Sequence, residues 1–143
     1  MITIKVKVLD KSMPIPRYAH IGDAGLDLYS AVDCELKPFE RKKIPTGIKV
    51  SIPEGYAGFV QPRSGIALKN GIGMVNAPGL IDSAYRGEIC AILINLDPDN
   101  IFHIKKGDKI CQMVILRVEE VQLKIVKQLD ETTRGEAGFG STG

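Results

Sequence analysis

Apolar and polar residues alternate with a period of two over residues 3–8, 47–52, 89–96, 110–118 and 121–126, all short and rich in Ile and Val. Period two is the side-chain repeat of a strand, and β-branched residues suit a pleated surface, so each stretch is predicted as a β-strand. Helical spacing is nearly absent. The exception is one or two turns over residues 64–69, with Ser64 placed to cap the start. Eight prolines, among them Pro38, Pro53, Pro62 and Pro98, fall between the alternating stretches, and Glu54-Gly55 and Lys106-Gly107-Asp108 read as turns. Many short strands at this spacing predict an all-β jelly roll or β-sandwich with one short helix. The pattern divides the chain into a jelly-roll domain over residues 1–129 and a flexible, Gly-rich tail over residues 130–143, too poor in apolar residues to fix itself.

The chain has 143 residues, 44% hydrophobic and 25% charged, which fits one globular domain with a full core. A net charge of +2 argues against a nucleic-acid partner, which would need clustered Lys and Arg. The apolar stretch at residues 89–96 is far shorter than the roughly 20 residues that cross a bilayer, and the alternating start is unlike a signal peptide, so no membrane association is expected. Cys34, Cys90 and Cys111 are odd in number and have neither disulfide nor zinc spacing. They read as reduced, mostly buried thiols of a cytoplasmic protein.

Four segments carry candidate chemistry. Pro62-Arg63-Ser64-Gly65 leads from a strand into the short helix and gathers a guanidinium, a hydroxyl and backbone N–H groups at one point, which suits an anion; a capped helix start with a surface Arg is the plain alternative. Asp27 stands between Leu26 and Leu28, and either faces solvent or is held for a metal or hydrogen bond. Asp82 follows Leu80-Ile81 just before a turn, a setting for a partly desolvated general base, with Tyr85 as a flat wall; the same residues could serve turn and core alone. Gln112, in Gly107-Asp108-Lys109-Ile110-Cys111-Gln112, is a polar group on a half-buried strand. In the tail, Arg134 and Phe139 put a cation and an aromatic plate on a flexible strap, a combination suited to closing over a ligand with phosphates and a flat ring.

Together and in this order, AGLDLYS, PRSGIALK, GLIDSAYRGE, GDKICQ and RGEAGFGSTG resemble the five motifs of the trimeric dUTPase family. The resemblance implies a jelly-roll homotrimer, with each active site built from all three subunits, that converts dUTP and water to dUMP and pyrophosphate with Mg²⁺. In the cell such an activity keeps uracil out of DNA and supplies dUMP for thymidylate synthesis. Carried onto this chain, the motifs imply that Asp27 holds Mg²⁺ through its water shell. Arg63, Ser64 and Gln112 contact the phosphates, with Lys69 as a supporting charge, and Asp82 deprotonates the attacking water. Asn76 and the backbone up to Gly79, in a tight hairpin over residues 71–79, read the uracil edge. Tyr85 packs on the deoxyribose, Arg134 clamps the phosphates and Phe139 covers the base. Cys111 stands where the motif has a small residue, and the lack of appended segments fits a compact prokaryotic or viral type. Two other readings remain: the related dCTP deaminases, which need a Glu where this chain has Ile92, and a non-catalytic nucleotide-sensing trimer.

Overall fold

The computed structural model describes residues 2–138 and 140. It contains ten strands and one helix in the order β1 (Lys5–Val8), β2 (Leu26–Tyr29), β3 (Cys34–Leu36), β4 (Arg41–Ser51), β5 (Tyr56–Gln61), α1 (Ser64–Asn70), β6 (Ile72–Met74), β7 (Gly79–Ile81), β8 (Glu88–Asn95), β9 (Phe102–Ile104) and β10 (Lys109–Arg117). Two four-stranded antiparallel sheets, β1-β4-β8-β6 and β2-β10-β5-β7, face each other, and β3 pairs with β9 beside them. The predicted jelly-roll class is thus what the chain adopts. Strand alternation makes the core: Ile89, Ala91 and Leu93 of β8 and Ile44 and Ile48 of β4 meet Leu28, Val60 and Met113 of the opposite sheet, all nearly inaccessible to solvent.

Four of the five alternating stretches fall in β1, β4, β8 and β10. The fifth differs: residues 121–126 form no strand, and Val121, Leu123 and Ile125 are exposed. Regular pairing ends at Arg117, and no edge of the chain's own sheets takes the segment up. The expected hairpin over residues 71–79 is also absent as such, because β6 pairs with β8 while β7 pairs with β5, so the segment crosses from one sheet to the other. Ser64 is not the helix cap either. Arg63 occupies that position in extended conformation with no side-chain cap, which leaves the Ser64 hydroxyl outside the capping geometry. Gly71 ends the helix at φ 66°, a left-handed conformation open to glycine, and there returns its N–H to the Ala67 carbonyl. Burial pushes the Cys111 thiol up to about 12, so that residue is a core group and not a nucleophile.

Candidate active site

Strand β10 lies between β2 and β5, and its register puts Gln112 opposite Asp27 on one flank and Gln61 on the other. Directly opposed residues share a face, so these three polar side chains form a row on the outer surface while Leu28, Met113 and Val60 point to the core. Asp27 and Gln112 of this row floor a cavity of about 530 Å³ whose walls include Gly25, Arg63, Ser64, Gly65 and Lys109. Gln112 donates through Nε2 to the Pro62 carbonyl at 3.0 Å, which ties the sheet to the loop before the helix. A β-carbon at Gly25 would stand 2.5 Å from Gln112 Oε1, so any other residue there would displace the Gln112 amide. At the mouth, Ser64 and Gly65 open the helix, where the first N–H groups have no intrahelical acceptor.

Asp27 does not face open water. Its side chain is 12% exposed, with Arg63 Nε at 3.3 Å from Oδ1 and Lys109 Nζ at 2.6 Å from Oδ2. Arg63 also donates through Nη1 to the Lys109 carbonyl at 3.2 Å, so its guanidinium lies along the strand. A carboxylate this enclosed would be costly by several kcal/mol without partners, and two cations meet the need. The donor set bears on a metal directly. Among the described residues no group of three or more His, Cys, Asp or Glu side chains could ligate one. A single enclosed carboxylate in a cavity rimmed by anion-binding groups does fit a hydrated Mg²⁺ completed by substrate phosphates, because that ion retains its waters.

Asp82 and Tyr85 lie elsewhere, in a second cavity of about 430 Å³ shared with Lys43, Ile81, Glu88, Cys90 and Ile92. A tight turn returns the Tyr85 N–H to the Asp82 carbonyl at 3.1 Å, and Arg86 Nη1 clamps the turn through the Ser83 and Tyr85 carbonyls at 2.6 and 2.7 Å. The Tyr85 ring lies over Gly87, where a β-carbon would meet its hydroxyl at 2.2 Å, and that hydroxyl donates to the Glu88 carbonyl at 3.1 Å. Glu88 is held in turn by the Gly47 N–H at 2.9 Å. Burial, reinforced by the Glu88 charge, raises the Cys90 thiol above its ordinary value. Asp82 itself is exposed, so the expected partial desolvation is not supplied by its own chain.

The two cavities share no lining residue. With Gly58 opposite Ile81 and Val60 opposite Gly79, Asp82 leaves β7 level with Ala57, whereas Ser64 lies seven residues further along the other way. At about 3.3 Å per extended residue this path spans at most about 23 Å. Asn76 and Gly79 belong to neither cavity; the Asn76 amide folds back over Gly79, where a β-carbon would stand 3.3 Å from Nδ2. Lys69 is exposed in the last turn of α1, away from both cavities, where a cation complements the terminal carbonyls. Arg134 is exposed and, among the described residues, donates through Nε to the nearby Ala137 carbonyl at 3.0 Å. Phe139 lies outside the described residues. Lys109, Gly25, Arg86 and Gly87 also shape the two cavities, and their residue types alone do not single them out. Only Lys109 carried a readable signal, the break in alternation at Ile110-Cys111.

The dUTPase family pattern matches residues 11–143. The Deoxyuridine 5'-triphosphate nucleotidohydrolase of Corynebacterium glutamicum is 49% identical over 143 residues, covering 100% of this chain and 96% of its own. Staphylococcus bacteriophage 80alpha dUTPase, solved with dUpNHpp, superposes with a TM-score of 0.92 at 33% identity, covering 99% of this chain and 98% of the phage chain. The D95N variant of the dUTPase from phage phi11 of S. aureus, solved for the coordination of a structural Mg(II) ion, superposes at 0.81 with 29% identity over 88% of this chain and 97% of that one. With its motifs seated on that fold, the chain belongs to the dUTPase family.

Proposed function

We infer that this protein hydrolyses dUTP to dUMP and pyrophosphate, in sites that each draw on more than one copy of the chain. The observation that carries the reading is the convergence of Asp27, Arg63, Ser64 and Gln112 on one cavity, in a chain of this family, with Asp82 in another. Displacement at phosphorus requires the nucleophile within about 3.5 Å of its target. A carboxylate in a cavity that shares no residue with the phosphate cradle of its own chain therefore serves the cradle of another. The exposed, alternating 121–126 segment supports the same assembly, because a strand-like apolar segment without an edge in its own chain suits a neighbouring copy. A homotrimer is the assembly proposed.

Arg63, the Ser64 hydroxyl, the first helical N–H groups and Gln112 bind the triphosphate. Asp82 of a neighbouring copy orients a water and takes its proton as the water oxygen bonds to the α-phosphorus and the bond to the α,β-bridging oxygen breaks. Pyrophosphate leaves with its growing charge met by the Arg63 guanidinium and the same hydrogen-bond donors. Bound through its waters to Asp27, Mg²⁺ would supply further neutralisation of that charge. Asn76 and the backbone to Gly79 read the uracil edge, and Tyr85, fixed over Gly87, leaves no space for a 2′-hydroxyl. Arg134 and Phe139 close over phosphates and base from the tail, residues 130–143. Free Cys34, Cys90 and Cys111 support a reducing compartment, the cytoplasm.

The deaminase reading lacks its carboxylate at Ile92, and the other carboxylate of that cavity, Glu88, is committed to the Gly47 N–H. Pyrophosphate release measured on dUTP, dCTP, dTTP and UTP, each with and without Mg²⁺, tests the assignment. Release from dUTP is expected to exceed that from the others by about 10²-fold or more, the discrimination available to a site built on hydrogen bonds to one base. Ammonia from dCTP, or binding without release, would overturn it.

A further inference from the structure

Lys109 has no role in the mechanism above, yet the chain departs from regular pairing to place it. Between Lys109 opposite Tyr29 and Cys111 opposite Leu28, β10 carries one extra residue, Ile110. Strict alternation from Gln112 would turn residue 110 outward and residue 109 inward. The bulge instead buries Ile110 and Cys111 in succession, at 1% and 0% exposure, and brings Lys109 onto the outer face with Asp27. Its ammonium then takes one Asp27 oxygen at 2.6 Å while Arg63 takes the other at 3.3 Å. Every oxygen through which Asp27 could hold a hydrated cation is thus met by a side-chain cation that also lines the phosphate cavity.

We propose that Lys109 is a further substrate-binding residue, an ammonium that stands on Asp27 until nucleotide arrives and then moves to its phosphates. The exchange conserves charge. Triphosphate draws Lys109 away, and Asp27 is left for the water shell of the cation that accompanies the nucleotide. Lysine suits the task, being a point charge on a flexible stem, whereas Arg63 is fixed by its second bond to the Lys109 carbonyl.

The proposal rests on the dUTP-hydrolysing reading, and the test separates the two. Calorimetric titration of dUpNHpp into the full-length protein, with Mg²⁺ and with EDTA, gives two dissociation constants and their ratio. Without the metal, phosphate charge falls on the side-chain cations alone. Lys109→Met is therefore expected to weaken binding about tenfold or more in EDTA, the scale of one charge-assisted hydrogen bond, and by less with Mg²⁺, which shares the phosphate charge, while Lys109→Arg stays near wild type. Lys109→Gln gives the same comparison should the Met variant fail to fold. No weakening of dUpNHpp binding in EDTA, or a weakening that Lys109→Arg does not restore, would mean that Lys109 only supports the strand and would end the proposal. Wild-type protein that does not bind dUpNHpp at all would remove the functional reading and the proposal with it.

Discussion

Asp82→Asn is expected to keep nucleotide binding and lose turnover by about 10²- to 10⁴-fold, the range supplied by a positioned proton acceptor. The amide matches the carboxylate in shape but cannot take a proton from water. The turn that carries it persists, because its bonds run through the Asp82 carbonyl and through Arg86, not through the replaced side chain. The residue is exposed, so the change in stability should stay within about 0.5 kcal/mol. Single-turnover rates with dUTP, beside the dUpNHpp dissociation constant and the melting temperature, check all three. A variant that turns over near the wild-type rate would remove Asp82 from the role of base. One that has lost binding as well would place it in substrate recognition.

Deletion of residues 131–143 is expected to leave fold and assembly unchanged and to lower kcat/KM by about 10²- to 10⁴-fold, from one lost base stack and one lost charged clamp. Residues 119–137 are exposed or nearly so, and the bonds of the described tail are local, as from Gly135 N–H to the Thr132 carbonyl at 3.1 Å. Nothing there buttresses the core, so the melting temperature should not move. Ordering such a strap costs roughly 1–2 kcal/mol of backbone entropy per residue, a cost that contacts to a bound nucleotide can offset and an empty site cannot. Unchanged hydrolysis by the truncated protein would show that the tail plays no part.

Strands whose two faces differ were readable, because alternation in β4, β8 and β10 records one face on the core and one off it. The three-residue strands β3 and β9 were not, being too short to show a period. Asp27 shows a different limit. Its strand neighbours are apolar, and nothing local reveals that Arg63 and Lys109, distant in sequence, close over it. Under the proposed assembly the exposure of Asp82 and of the 121–126 segment share one cause, since a pattern written for contact with another copy finds no partner within its own chain. Lys109 lay between these cases: two successive apolar residues in an alternating strand are what a bulge looks like, and the bulge turned a turn-flanking lysine into a neighbour of Asp27.

That each site is shared between chains is open to a direct measurement. Asp82→Asn and Ser64→Ala proteins, each nearly inactive alone, are unfolded together, refolded as a mixture and assayed for pyrophosphate release from dUTP. Random assembly joins an intact phosphate cradle to an intact Asp82 in about one quarter of sites, so activity should rise to that fraction of wild type. A mixture no more active than its two components would show that cradle and carboxylate must reside in the same chain, and would contradict the account.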